Sequence, residues 1–185
     1  MNSVRAWPEV LCLFGLSGVG KTTLASHVAE RRHWHLIELD QPGLATEWPP
    51  ECVAALTRFA SHGDPGDFVD QLRVLAAGQG WPGVVVCFRS HDRIPPAAMD
   101  RLRALGVAAA VLRAGIGPCI EAYLARELAR PRGLSLWHWI RHNTQAYSGW
   151  QDPAFDSWAL DVMRPDGRRK PVEALLAELL GAEPA

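Results

Sequence analysis

Residues 15–22 read Gly-Leu-Ser-Gly-Val-Gly-Lys-Thr, so that Gly15 and Gly20 bracket four residues and Lys21-Thr22 follow at once. These types at this spacing suit one chemistry, the cradling of a polyphosphate. Glycines let a backbone wrap closely around phosphate oxygens and aim successive N–H groups inward, and the start of a helix adds partial positive charge. Gly15, Ser17, Gly18, Val19 and Gly20 are the expected cradle, with Thr22 and Thr23 opening the helix. Lys21 would reach the β and γ phosphates, and the Thr22 hydroxyl would ligate Mg²⁺. The chain has 17 arginines and only two lysines, Lys21 and Lys170, which sets the lysine of this loop apart. The bland alternative is a glycine-rich turn that caps a helix. Against it stand the full match in spacing and an apolar strand-like run just before the loop.

Two acids are candidates for proton transfer or metal binding. Asp40 ends the apolar run His-Leu-Ile-Glu-Leu and precedes Gln-Pro-Gly. At the carboxyl end of a strand beside the phosphate loop it could take a hydroxyl proton or hold a metal-bound water, although aspartate also suits such a turn by itself. Asp92 lies four residues past the apolar run Gly-Val-Val-Val-Cys-Phe, where a metal-supporting acid or a helix-capping residue would stand equally well. Arg89, in the same turn, could face the cleft or simply be solvated. No histidine falls in a metal-ligand spacing, and no Asn/Thr-Lys-x-Asp guanine motif is possible around either lysine, which excludes a standard GTPase.

Holding such a loop requires a strand before it and a helix after it, and the chain alternates short apolar runs with longer amphipathic ones throughout. Strands are expected at 9–14, 35–39, 83–88, 107–112 and 157–162, and helices at 21–32, 51–61, 67–77, 95–105, 118–129, 134–147 and 172–180. That pattern gives an open three-layer α/β/α domain around a five-stranded parallel sheet. A single domain over residues 1–185 is expected. Formal net charge is −1, with 48% hydrophobic and 21% charged residues. A packed core follows, and a dedicated nucleic-acid binder is disfavoured. No apolar run is long enough to cross a membrane. The N-terminal apolar stretch is too short for a secretory signal. Cys12, Cys52, Cys87 and Cys119 are far apart and read as buried thiols of a reducing compartment, placing the chain in the cytoplasm.

From Cys12 to Asp40 the sequence CLFGLSGVGKTTLASHVAERRHWHLIELD resembles the shikimate kinase, gluconate kinase and nucleotide kinase group of P-loop kinases. The resemblance implies sheet order 2-3-1-4-5, ATP with Mg²⁺ on the loop, and an acid, Asp40, at the substrate cleft as base or metal support. It also implies a lid over about 126–150, whose arginines Arg126, Arg130 and Arg132 close over ATP and the transferring phosphoryl group. Guanidinium suits that task because its fork binds phosphate oxygens in pairs. By the same resemblance Arg58 and Arg141 face the acceptor. The chain also departs from shikimate kinases. Pro42 stands where they carry a second aspartate, and Phe88-Arg89-Ser90-His91-Asp92 stands in place of their glycine-rich turn. The expected activity is ATP-dependent phosphoryl transfer to a small-molecule hydroxyl or phosphate acceptor. The alternative is a P-loop ATPase or regulatory nucleotide-binding module without a metabolic acceptor. Arg113 is a weaker site candidate, the tryptophans read mainly as core, and Arg168-Arg169-Lys170 reads as a solvated turn. Oligomeric state is left open.

Overall fold

In the computed structural model, residues 8–39, 48–90, 92, 94–129 and 136–180 are described. Strand β1 (Val10–Gly15) is buried along its whole length, as an apolar run must be when helices cover both faces of a parallel sheet. It pairs in parallel with β3 (Val84–Cys87) on one side and β4 (Ala108–Arg113) on the other. β2 (His35–Glu38) extends the sheet beyond β3, and β5 (Ala159–Asp161) extends it beyond β4. The order is β2-β3-β1-β4-β5, all parallel, as expected from the sequence. Ala108, Ala109 and Ala110 join the sheet although alanine prefers helix. Pairing with Leu11, Cys12 and Leu13 decides the matter.

The connecting helices are α1 (Lys21–Arg32), α2 (Pro50–His62), α3 (Gly66–Gln79), α4 (Pro96–Ala104), α5 (Ile116–Ala129), α6 (Leu136–Trp150) and α7 (Val172–Leu180). Most bounds lie within two residues of those read from the sequence, and α6 runs three residues further. The stretch expected as the last strand is shorter, because Pro153–Trp158 winds into a 3₁₀ turn that Asp152 caps through Ala154 N–H. Helices α1 and α7 pack together on one side of the sheet. On the other, Phe14 of β1 stacks on Phe88 at 4.3 Å, and Phe59 of α2 and Phe68 of α3 meet Phe88 edge-on. Trp150 closes this cluster against Phe14 and Phe155. Each fully buried phenylalanine contributes about 1.5–3 kcal/mol, so the cluster firmly fixes the carboxyl ends of β1 and β3, where the phosphate loop begins. All four cysteines are free and buried. Among the described residues no helix is long and apolar enough to cross a membrane.

Candidate phosphate and acceptor site

The loop between β1 and α1 has a backbone that only glycine adopts easily. Gly15, Gly18 and Gly20 all have positive φ, at 128°, 85° and 109°. A Cβ on Gly18 would sit 2.3 Å from the Cys119 carbonyl oxygen, and one on Gly15 would sit 2.5 Å from that of Leu112. The loop is therefore pressed against the end of β4 and the start of α5, with its concave side toward the carboxyl edge of the sheet. Helix α1 has Gly20 as its N-cap with no side-chain hydrogen bond, and no acidic residue in its first turn. A helix start so arranged favours an anion. Lys21 is 7% exposed, and its Nζ donates to the Gly15 and Leu16 carbonyls at 2.8 and 3.0 Å. Val19 is buried, while Thr22 and Thr23 are exposed at the top of α1.

The Thr22 hydroxyl donates to the carboxylate of Glu38, the last residue of β2. The sequence reading passed over Glu38, because it lies inside an apolar run and attention falls on the Asp40 turn beyond it. Asp40 lies outside the described residues. Glu38 and Thr22 together offer hard oxygen donors of the kind that suits Mg²⁺. Among the described residues no cluster of three or more His, Cys, Asp or Glu could hold a metal unaided. A cation here would draw its remaining ligands from phosphate and water.

The turn after β3 resolves the roles of two candidates. Asp92 is 6% exposed and accepts the Arg89 N–H at 3.0 Å. The Arg89 guanidinium binds the same carboxylate, with Nε and Nη2 at 3.0 and 2.9 Å from Oδ1. The two residues thus close the turn on each other. Arg58 on α2 forks onto Asp67 of α3 at 3.1 and 2.9 Å and is exposed. Each of these arginines spends Nε and Nη2 on its carboxylate.

Of the expected lid arginines, Arg126 lies on α5, over the Tyr123 ring at 5.4 Å and 3.6 Å from Glu127. Arg130 and Arg132 lie outside the described residues. Arg141 is exposed on α6. The residue of α6 that meets the phosphate loop is Asn143, whose Oδ1 accepts the Ser17 N–H at 3.4 Å. Arg113 anchors the far end of the same helix, donating to the Trp150 and Asp152 carbonyls, each at 2.8 Å, and to Asp156 at 2.6 Å.

The solvated-turn reading of Arg168-Arg169-Lys170 is corrected. A bridge between Met163 and Arg169 and a turn at Gly167 fold this segment into a hairpin. Arg169 reaches the phosphate loop and donates to the Val19 and Gly18 carbonyls at 2.8 and 2.9 Å. Lys170 instead pairs with Glu178 of α7 at 2.7 Å. No spacing rule links Arg169 to a loop some 150 positions earlier; only the sheet order brings them together. Burial pushes the Cys119 thiol up, and Arg169 and Lys21 pull it partly back.

Two cavities open beyond the carboxyl ends of the strands, and residues 15–22 line neither. One, of about 470 Å³, lies beyond β4 and β5 and includes Arg113, Gly115, Tyr147, Met163 and Arg164. The other, of about 360 Å³, lies beyond β3 against α6 and includes Ser90, Asp92, Gln145, Trp150 and Phe155.

Residues 11–69 match the family model of the ATPase family associated with various cellular activities (AAA), a match that spans the loop but less than half of the chain. No curated protein matches the chain by sequence. Among solved structures it is similar to a shikimate kinase from Bacteroides thetaiotaomicron, with 18% identity, a TM-score of 0.51, and coverage of 92% of this chain and 95% of that one. It is also similar to a gluconokinase from Sinorhizobium meliloti 1021, with 20% identity, a TM-score of 0.46 and coverage of 95% and 91%. A shikimate kinase from Acinetobacter baumannii, solved with shikimate, gives 16%, 0.49, 94% and 91%. The fold is that of the P-loop kinases. The Gly15–Thr22 loop stands at the carboxyl end of the β1 strand of that fold.

Proposed function

We propose that the chain transfers a phosphoryl group from ATP to a hydroxyl or phosphate of a small-molecule acceptor. The observation that carries this reading is that the loop follows the carboxyl end of β1 while two separate cavities lie beyond the ends of β3 and of β4 and β5, at the edge where open α/β sheets take ligands. A protein that only binds or hydrolyses ATP needs one of them. The cavity beyond β4 and β5 would take the nucleoside, beside the Arg169 hairpin that holds the loop. The cavity beyond β3 would take the acceptor. Both are within the size range of small-molecule sites.

In this reading the loop N–H groups and Lys21 hold the β and γ phosphates. Thr22 and Glu38 hold Mg²⁺, with Asp40 two residues on. Mg²⁺ held there would supply positive charge to offset the negative charge of the phosphates. Asp40 accepts the acceptor's hydroxyl proton, and Arg126, Arg130 and Arg132 cover the phosphates. Arg141 lies on the helix that walls the acceptor cavity. Little covalent work is asked of the protein; positioning and charge do most of it.

The match of residues 11–69 to an ATPase family supports a second reading, a P-loop ATPase without a metabolic acceptor. One experiment separates the two. ADP release is measured at fixed Mg²⁺ with and without each member of a metabolite panel. Release that depends on one class of acceptor supports the kinase, and steady release indifferent to every acceptor supports the ATPase.

A further inference from the structure

Asn143 is 4% exposed and lies at the middle of α6. Asparagine is a poor helix former and is seldom buried unless its amide is used. Here Oδ1 is set on the Ser17 N–H, in the middle of the phosphate loop. A phosphate oxygen asks for the same donor. The contact is 3.4 Å, beyond the usual 2.7–3.2 Å, and neutral on both sides. A bond from that N–H to a phosphate oxygen is charge-assisted, shorter and about twice as strong. Phosphate therefore wins the competition.

We propose that Asn143 is a positioning residue that reads the phosphate loop, accepting from Ser17 when the loop carries no phosphate and yielding that N–H to the polyphosphate when it does. This rests on the proposed binding of nucleotide at the loop. The consequence falls on α6. Its carboxyl end is fixed to the sheet by Arg113 and by the Trp150 Nε1–H bond to the Ser90 carbonyl at 2.9 Å. Asn143 lies seven residues, roughly 10 Å, before that anchor. Between the two points Gln145, Ala146 and Gly149 line the cavity beyond β3. A change at Asn143 is thus delivered to the wall of the acceptor cavity by a helix held at its far end. Nucleotide on the loop sets the shape in which the acceptor is received.

The test compares the full chain with Asn143→Ala and Asn143→Asp. Calorimetry measures binding of ADP and of a non-hydrolysable ATP analogue, each with Mg²⁺, and hydrogen exchange follows α6 with and without the analogue. Asn143→Asp should weaken both nucleotides at least tenfold, because a carboxylate held on the Ser17 N–H is charge-assisted and repels phosphate. Asn143→Ala should bind as well as the native chain or a few-fold tighter, having nothing to displace. The exchange change across residues 143–150, present in the native chain, should be lost in Asn143→Ala. A residue that only supports α6 would lower the unfolding midpoint in both variants and leave nucleotide affinity and the exchange response as they were. That result overturns the inference. Should Asn143→Asp fail to fold, the exchange response of Asn143→Ala decides alone. A native chain that binds neither nucleotide overturns the phosphate-loop reading itself, and this inference with it.

Discussion

The Thr22 hydroxyl donates to a carboxylate oxygen of Glu38, tying the first turn of α1 to the end of β2. The resemblance to shikimate kinases sets two acids two residues apart. Counting from Asp40 puts the second at Pro42. Glu38 stands at that same spacing before Asp40.

Glu38→Gln keeps the shape of the side chain and its acceptor oxygen for Thr22, and removes the charge. Loss of a carboxylate at a metal site should cost at least the about 10–100-fold in metal affinity or activity that outer-shell partners alone contribute. The Mg²⁺ concentration needed for half-maximal phosphoryl transfer should rise by that order, with the fold unchanged by circular dichroism. An unchanged Mg²⁺ requirement would leave Glu38 as a tether of α1 only.

Lys21→Ala removes the buried cation that is folded onto the Gly15 and Leu16 carbonyls. Losing it should cost several kcal/mol of transition-state stabilisation, on the order of hundredfold or more in rate. Lys21→Arg should not restore activity, since a planar fork does not replace a compact ammonium in a glycine-lined site. Both variants should be assayed for ADP release beside a thermal unfolding scan. Near-native turnover in folded Lys21→Ala would remove the loop from the chemistry.

What was legible in the sequence, and what was not, follows from the range of the interactions. The five strands and the loop show themselves in local apolar runs and in a motif whose spacing is fixed by phosphate, while the strand order came from the family resemblance. Glu38 was hidden because alternation at a strand end looks the same for a solvated and a site-facing acid. Arg169 and Asn143 reach the loop across some 150 and 126 positions, and no periodicity records such a pairing. Asp92 showed the reverse failure. Its residue type fitted a metal-supporting acid and a capping residue equally; the structure shows Asp92 closing its own turn on Arg89, while the following helix is capped by Pro95.

Asp92→Asn tests that separation. As a turn residue, Asp92 loses its ion pair to Arg89, whose side chain is 38% exposed. The cost should be modest, about 1–3 kcal/mol for weakening a largely buried, charge-assisted contact whose arginine is partly screened by solvent. Chemical denaturation should show a lower midpoint, and the transfer rate of the folded fraction should stay within a few-fold. A rate lower by ~10²-fold with stability intact would mark Asp92 as the acid instead.

Arg169 is the last case, and it separates a loop held from outside from one that holds itself. Its guanidinium spans the Val19 and Gly18 carbonyls at 2.8 and 2.9 Å. Both carbonyls belong to the loop whose N–H groups must point the other way, toward phosphate. By holding the oxygens on the outer side, Arg169 fixes the peptide planes and so aims the N–H groups. A preorganised cradle spends less of its binding energy on ordering itself. Arg169→Gln should therefore weaken ATP and ADP together, by about the tenfold that one charged hydrogen bond of ~1.5 kcal/mol represents. The acceptor's own KM should barely change, because Arg169 lies on the nucleoside side of the loop. Arg169→Lys should recover part of the affinity, since a single ammonium can serve one carbonyl well but cannot fork across two. Nucleotide titrations of the three proteins, with acceptor kinetics at saturating ATP, give the answer. Equal affinity in all three would mean that the glycines and the packing of Gly18 on Cys119 shape the loop unaided.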